Sequence, residues 1–455
     1  MQNLDGSFDE AYPFERSLAA TAFTTFYLGS SIELLRDDIS TATLEKAHNI
    51  IKKSANWLAL NNEHHGILSN HLAAAAAALQ VSFDITGESH FSEARDKFLN
   101  LIYKYQDKNE GWYMEYGGAD PGYQSHGMFY LTDIFKRTND RRLLESLVSA
   151  CEFFIWCIHP DGTSGGEYAS RGTKFSFPAA FEFLSNYSEA AKKISNHFRN
   201  QIDKKKLIGI DEMDVWNFYP MLNNYLFADN WYTKKLKFKT SDSVLLCDGI
   251  KIFKNAGLLF FNKDEISIAI GGKMGGAIKI WQINGKLIYE DLGYFFSIKD
   301  KKFSSHTESE FTLDYRGKNI VLTSTSNFIQ SKKIRFNSLK FTLFRILSLS
   351  VLRFPIFSRT IKKLLVFVLI RNKKFSRASL KRIVTIKNSE EIYLSDKLLR
   401  VPVKPQILKR NVPFHMGSAR YSTLQEWFGS ERKNVALNDN GLGSYTRKLR
   451  LDKLE

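Results

Sequence analysis

The chain of 455 residues is poor in cysteine, with only Cys151, Cys157 and Cys247. Three thiols, odd in number and without a CxxC spacing, support neither a disulfide framework nor a zinc site. No secretory leader opens the sequence: residues 1–10 (MQNLDGSFDE) are acidic and carry no apolar run. Few thiols and no leader predict a reducing, cytoplasmic location. Neither a metal nor a cofactor is expected. Acidic residues are scarce in one place. Residues 331–410 hold 21 Lys and Arg against 3 Asp and Glu, a local charge of +18 within a total of +16, so the remainder of the chain is near neutral at −2. The basicity therefore belongs to one segment and asks for a local explanation. It is not a nucleic-acid signature, because no binding motif occurs and aromatics interleave poorly with the basic residues.

Two loops are rich where ordinary connections are bland. Residues 110–124 (EGWYMEYGGADPGYQ) set Trp112, Tyr113, Tyr116 and Tyr123 among Glu115, Asp120, Gln124 and four glycines. Glycine lets the backbone turn and approach a ligand closely, while Pro121 biases Asp120 towards an extended conformation. Residues 159–171 (HPDGTSGGEYASR) repeat the style with Asp161, Glu167, Tyr168 and Arg171. Functional side chains concentrate on loops. Aromatic platforms beside carboxylates suit a sugar, with its apolar C–H faces and rim of hydroxyls. Each residue also has a structural reading. Glu115 and Asp120 could cap helices, and Glu167 and Arg171 are spaced as an i, i+4 ion pair. Asp161-Gly162 reads as a structural turn, and His159 as a satisfied loop histidine. His64 and His65, adjacent in sequence, point apart on a helix and do not suggest a metal.

Residues 1–210 read as helices of similar length, joined alternately by short turns and the two decorated loops. This pattern predicts an α/α toroid, an incomplete ring of helix pairs with its loops on one face. The alanine run at 73–78 is the strongest helix signal, stopped by Gly87. After residue 211 short β-branched and aromatic runs alternate with Gly, Asn and Asp, and Asn284-Gly285 marks a hairpin. They predict a C-terminal antiparallel β-sandwich over 211–430, followed by a tail at 431–455. Trp216, Trp231 and Trp281 are expected to fill the interdomain core. The whole is thus expected to be a multidomain α + β chain. A basic helical insertion at 339–375 interrupts the β domain. No uncharged stretch in it approaches the roughly 20 residues needed to span a bilayer. Its bulky apolar and basic residues suit either peripheral contact with an anionic membrane or packing on the sheet.

Taken together, EYGGADPGYQ and HPDG…GGEY-S-R make the sequence resemble the heparinase II/III-like proteins, up to about Tyr421. More narrowly, it resembles members found among bacterial surface-polysaccharide genes. That family joins an α/α toroid to an antiparallel β domain, and its lyases cleave uronate-containing polysaccharides by β-elimination. The resemblance implies an acidic polysaccharide or its precursor as partner. It implies C5 proton abstraction, ending in elimination or in epimerisation. The residue types present are Tyr116, Tyr123 and Tyr168 as proton carriers, Arg171 as carboxylate clamp, and His65 or His126 as bases. Trp112, Gln124 and Asp161 would contribute to binding. A hydrolase would instead pair carboxylates from Glu115, Asp120, Asp161 and Glu167. A non-catalytic glycan-binding or assembly factor would use the same surface. The lyases carry an Asn–His motif on a toroid helix. Its nearest counterparts are Asn62-Glu63-His64-His65 and Asn70-His71, and His71, opening an apolar helix, reads as a packing or capping residue.

Overall fold

The computed structural model describes residues 1–63, 66–203, 209–213, 215–232, 247–263, 265–330, 338–366, 374–388, 390–408 and 437–451. The helical part begins with α1 (Leu18–Leu35), α2 (Thr41–Leu60), α3 (Ser69–Thr86) and α4 (Ser89–Tyr105). A two-stranded hairpin follows, β1 (Met114–Glu115) with β2 (Gly118–Ala119). Then come α5 (Pro121–Thr138), α6 (Arg141–Phe154), α7 (Ala179–Leu184), α8 (Glu189–Asp203) and α9 (Val215–Trp231). The ends follow local chemistry. Ser17, Ser40, Asp120 and Asp140 accept from backbone N–H groups one turn on, and Gly87 ends α3 with φ at 72°.

The odd-numbered helices α1, α3, α5, α7 and α9 are successive neighbours, and the even-numbered ones lie against them. All six alanines at 73–78 are fully buried, so α3 can touch α1, α2, α4 and α5. By contrast α2 and α4 bury one stripe and leave the rest in water. At the start of α3, Gly127 of α5 crosses so closely that a Cβ there would meet the Asn70 Cα at 3.3 Å. That contact fixes where Asn70 stands.

All the strand pairings among the described residues are antiparallel. A five-stranded sheet runs in order through β3 (Gly249–Phe253), β4 (Leu258–Lys263), β5 (Ile266–Gly271), β6 (Ala277–Gln282) and β7 (Leu287–Asp291). The larger sheet contains β8 (Tyr294–Ile298), β9 (Lys301–Ser304), β10 (Glu310–Arg316), β11 (Asn319–Gln330), β12 (Phe375–Lys387) and β13 (Glu391–Leu399). It is completed by β14 (Gln406–Ile407), β15 (Asn438–Asp439) and β16 (Tyr445–Arg450). Between β11 and β12 the chain makes α10 (Ser338–Ser350) and α11 (Pro355–Val366). The strands thus form two antiparallel sheets, and the antiparallel sheet structure is curled into a half-barrel.

The five-stranded sheet is buried on both sides. Ile268, Ile270, Ile278 and Ile280 meet Leu322, Val384 and Leu394 of the larger sheet. On the other side Phe260, Ala269 and Trp281 meet Trp112, Phe153 and Tyr168 from the helical part. Hence β4, β5 and β6 read as nearly continuous apolar runs without alternation. Trp281 fills this junction as expected, whereas Trp231 lies in the helical core. The Trp216 side chain, the strand expected at 236–239 and all but Cys247 of the strand expected at 243–247 lie outside the described residues.

The expected tail at 431–455 needs correcting. Its described part, 437–451, adds β15 and β16 to the larger sheet. Arg447 is buried there against Asp291 and against Asp396 at 2.7 Å, while Arg382 binds the same two carboxylates at 2.9 and 2.8 Å. A charged segment looks solvent-bound in sequence, yet two arginines and two aspartates cancel each other in the interior.

Candidate functional site

The β1–β2 hairpin is where the two decorated loops meet. Tyr116 and Gly117 form its turn, both with positive φ, 55° and 94°. That is a type I′ geometry, which bulky residues rarely adopt at the first position. The turn aims the Tyr116 ring at Arg171. The hairpin is tied to the start of α3 by Tyr116 N donating to the Ile67 carbonyl at 3.0 Å and by Ser69 Oγ donating to the Met114 carbonyl at 2.9 Å. On its other side Ser170 donates to the Ala119 carbonyl at 2.9 Å and, through Oγ, to the Glu115 carbonyl at 3.0 Å. At Gly118 a Cβ would stand 2.8 Å from the Ser170 Cβ, so only glycine lets the two loops close.

Glu115 is completely buried beneath this junction. Its Oε1 accepts from both the backbone N–H and the Nδ2 of Asn70, each at 2.8 Å. It therefore caps α3, which has no side-chain cap of its own at Leu68. Its Oε2 makes no hydrogen bond and lies 3.6 Å from Arg171 Nη1. Burial raises the Glu115 carboxyl above its ordinary range, against the pull of Arg171 and Asn70.

Arg171 is 7% exposed, and its guanidinium carbon sits 3.6 Å from the Tyr123 ring centre and 4.8 Å from that of Tyr116. Its Nε and Nη1 donate to nothing, and neither does Asn70 Oδ1 accept. Buried donors without partners are rare and call for a ligand or a functional account. Burial raises both phenols, and Arg171 draws them down by less. They hold their protons at neutral pH.

His71, one residue beyond Asn70, opens an apolar helix, a position that suggests packing or capping. The structure gives it another environment. Its Nδ1 is 2.8 Å from Glu63 Oε2, which assigns the proton to Nδ1 and leaves Nε2 as acceptor. The ring is partly exposed and lies within electrostatic range of Glu115 and His126. A carboxylate-oriented imidazole is a general-base arrangement, and this one follows directly on Asn70, which binds the same Glu115 that Arg171 faces. The signal available in sequence was the eight-residue Glu63-to-His71 separation across a helix start, which no periodicity template contains.

Other expected site residues have different positions. Asp120 is fully buried and caps α5 through Tyr123 N at 3.0 Å, while its Oδ2 accepts from the backbone of Arg171 and Thr173 at 3.1 and 3.3 Å. It fixes the second loop rather than facing a ligand. Glu167 pairs with Lys279 and, at 2.6 Å, with Lys174, not with Arg171. Residues 167–171 are turns and bends, so the i, i+4 spacing brings nothing together. The two lysines hold Glu167 well below the usual carboxylate range. Tyr168, expected as a proton carrier, lies in the core between the helical part and the five-stranded sheet with its hydroxyl 2.9 Å from His159 Nε2. His159 stacks on Trp281 at 4.0 Å and is pushed down to about 3 by burial.

Asp161 accepts from Trp281 Nε1 at 2.8 Å. Trp112 is buried and donates to Glu110, and Gln124 binds Tyr113 N and the Ala150 carbonyl; all three act in packing. His126 is buried against Phe177, 3.1 Å from Tyr130 Oη, and lowered to about 3 by burial, too weak a base for neutral pH. His65 lies outside the described residues. Among the described residues no three His, Cys, Asp or Glu side chains converge as a metal site.

The structure is similar to that of heparinase III, with a TM-score of 0.47 at 10% identity over 86% of this chain and 56% of that one. It is also similar to a Paenibacillus xanthan lyase (0.49, 8%, covering 89% and 38%) and to the chondroitin AC lyase of Streptomyces coelicolor (0.47, 9%, covering 89% and 59%). The likeness to these polysaccharide lyases is one of fold. The chain spans a little over half the length of the heparinase III structure. No protein-family model matches the sequence, and no curated protein sequence matches it.

Proposed function

We propose that this protein acts on a uronate-containing glycan by removing the proton at C5, ending in β-elimination or in C5-epimerisation. The helix layers would then be an arc of an α/α toroid with the site on its loop face. One observation carries the reading: the Arg171 guanidinium, clasped between Tyr116 and Tyr123, has two N–H groups that donate to nothing. A planar carboxylate is the ligand that a guanidinium fork matches. Docked there, a uronate carboxylate would be neutralised by Arg171, which makes the C5 proton removable. His71 Nε2, oriented by Glu63, takes that proton. In elimination the C4–O bond then breaks, C4=C5 forms, and a phenol at Tyr116 or Tyr123 protonates the leaving oxygen. In epimerisation the phenol returns a proton to C5 from the opposite side.

Hydrolysis by two acids draws less support, because Asp120, Asp161 and Glu167 are each engaged in the bonds described above. The test is incubation with a panel of uronate polymers and oligosaccharides, following ultraviolet absorbance of an unsaturated product and deuterium uptake from heavy water. Elimination shows absorbance, and epimerisation shows deuterium without cleavage. Either should fall by at least about 100-fold in His71→Ala and in Tyr116→Phe or Tyr123→Phe. Binding without absorbance, cleavage or isotope exchange identifies a glycan-binding factor and overturns the proposal. So does cleavage without absorbance that Glu115→Gln abolishes.

A further inference from the structure

Residues 338–366, which form α10 and α11, carry six basic residues and no acidic one. Soluble helices turn their bulky apolar side chains inward. This pair does the reverse. Among the described residues, the points that seat it on the body include Phe344, with its ring edge-on to Tyr12 at 5.2 Å, buried Ser348 and Leu352, and Ser358, whose Oγ donates to the Phe14 carbonyl at 2.8 Å. Arg16 clamps the turn between the helices, donating to the carbonyls of Leu352 and Arg353 at 3.3 and 2.9 Å. Nine large apolar side chains are then left more than half exposed, among them Phe341 (61%), Ile346 (58%), Phe354 (59%), Ile356 (78%) and Phe357 (53%). Lys340, Arg345 and Arg353 are exposed among them.

We infer that α10 and α11 form a docking surface for an anionic lipid bilayer, lying in the interface with their apolar side chains among the acyl chains and their basic groups at the headgroups. Three features select this occupant. Bulky apolar side chains are exposed along both helices and at the turn between them, more than an idle surface carries. Neither helix is long enough to span, at 13 and 12 residues. The charge is of one sign, which repels a second copy of the same surface and complements anionic headgroups. The inference rests on this surface alone and stands independently of the glycan reading.

The test uses the full chain and vesicles of phosphatidylcholine, with or without about a third of phosphatidylglycerol, in co-sedimentation at physiological salt. Binding is expected to the anionic vesicles only. The double variant Ile356→Glu, Phe357→Glu should weaken it by at least about tenfold, and Lys340→Glu with Arg345→Glu should weaken it and its salt dependence together. Phe341→Ser, a single exposed change, is the second apolar variant, and a wild-type circular dichroism melt confirms that each is folded. Absence of binding to either vesicle overturns the inference, as does equal binding to both. Anionic binding untouched by the apolar variants points to a charge-only surface and also overturns it. Self-association of the wild type, abolished by Ile356→Glu and without vesicle binding, would show that a second copy covers the surface.

Discussion

Glu115→Gln should separate a carboxylate kept for chemistry from one kept for stability. The change preserves shape, and the amide oxygen can still accept from Asn70. It removes a charge 3.6 Å from Arg171 Nη1. At an effective dielectric near 20 that attraction is about 4–5 kcal/mol. Burial opposes it, and burial wins, since the Glu115 carboxyl is raised overall. The folded state thus holds this proton more tightly than the unfolded chain does. Stability from this group rises as pH falls from above the raised value towards the ordinary carboxylate range, and is constant below that range. At neutral pH the neutral amide should leave stability unchanged or slightly higher, and it should flatten that pH dependence.

Asp291→Asn is the contrast. Arg382 and Arg447 hold Asp291 well below the usual range, so its neutral isostere leaves two buried arginines with one counter-charge between them. That should cost roughly 3–5 kcal/mol. Urea midpoints across pH measure both variants, and turnover on a responsive uronate substrate measures the function. We expect Glu115→Gln to keep its midpoint and to lose about tenfold in rate, because Glu115 positions Asn70 and Arg171 without taking part in the proton transfers. If Glu115→Gln instead loses stability as Asp291→Asn does, Glu115 is a structural ion-pair partner and the reasoning is refuted.

Three further outcomes follow from the same structure. Tyr116→Gly relieves a positive φ worth about 1–2 kcal/mol and forfeits a cation–π contact of about the same size, so the melting point should hardly move while activity collapses. Asp120→Ala removes the α5 cap and the two bonds that hold residues 171 and 173; a loss of roughly 2–4 kcal/mol in denaturant unfolding should accompany lost activity, with Asp120→Asn in between. Because Glu167 is depressed by Lys174 and Lys279, its stabilisation is complete above the ordinary carboxylate range and is lost as pH falls below it. Lys279→Met should move this acid unfolding to higher pH, and an unmoved acid limb would show that Lys279 contributes nothing to it.

Much of this molecule was legible in the order of its residues, because the relevant physics is local. The alanine run, Gly87 and the Asp120 cap act within one turn of backbone, so α3 stands where its composition puts it and α5 starts at the carboxylate that reads as a cap. Asn284-Gly285 likewise closes the β6–β7 hairpin. The two glycine-rich loops announced themselves by composition, and they do meet. The excess charge of one segment also required nothing but counting. Tertiary structure decided what each charged group touches. Glu115 caps a helix that starts 46 residues earlier, Glu167 turns to Lys279 on a distant strand, and Arg447 in an apparent tail closes a buried quartet. His71 gained a carboxylate and Asp120 lost its access to ligand for the same reason. Hydrogen bonds and ion pairs in a desolvated interior depend on which backbones cross and in what register, and packing sets that register across the whole chain.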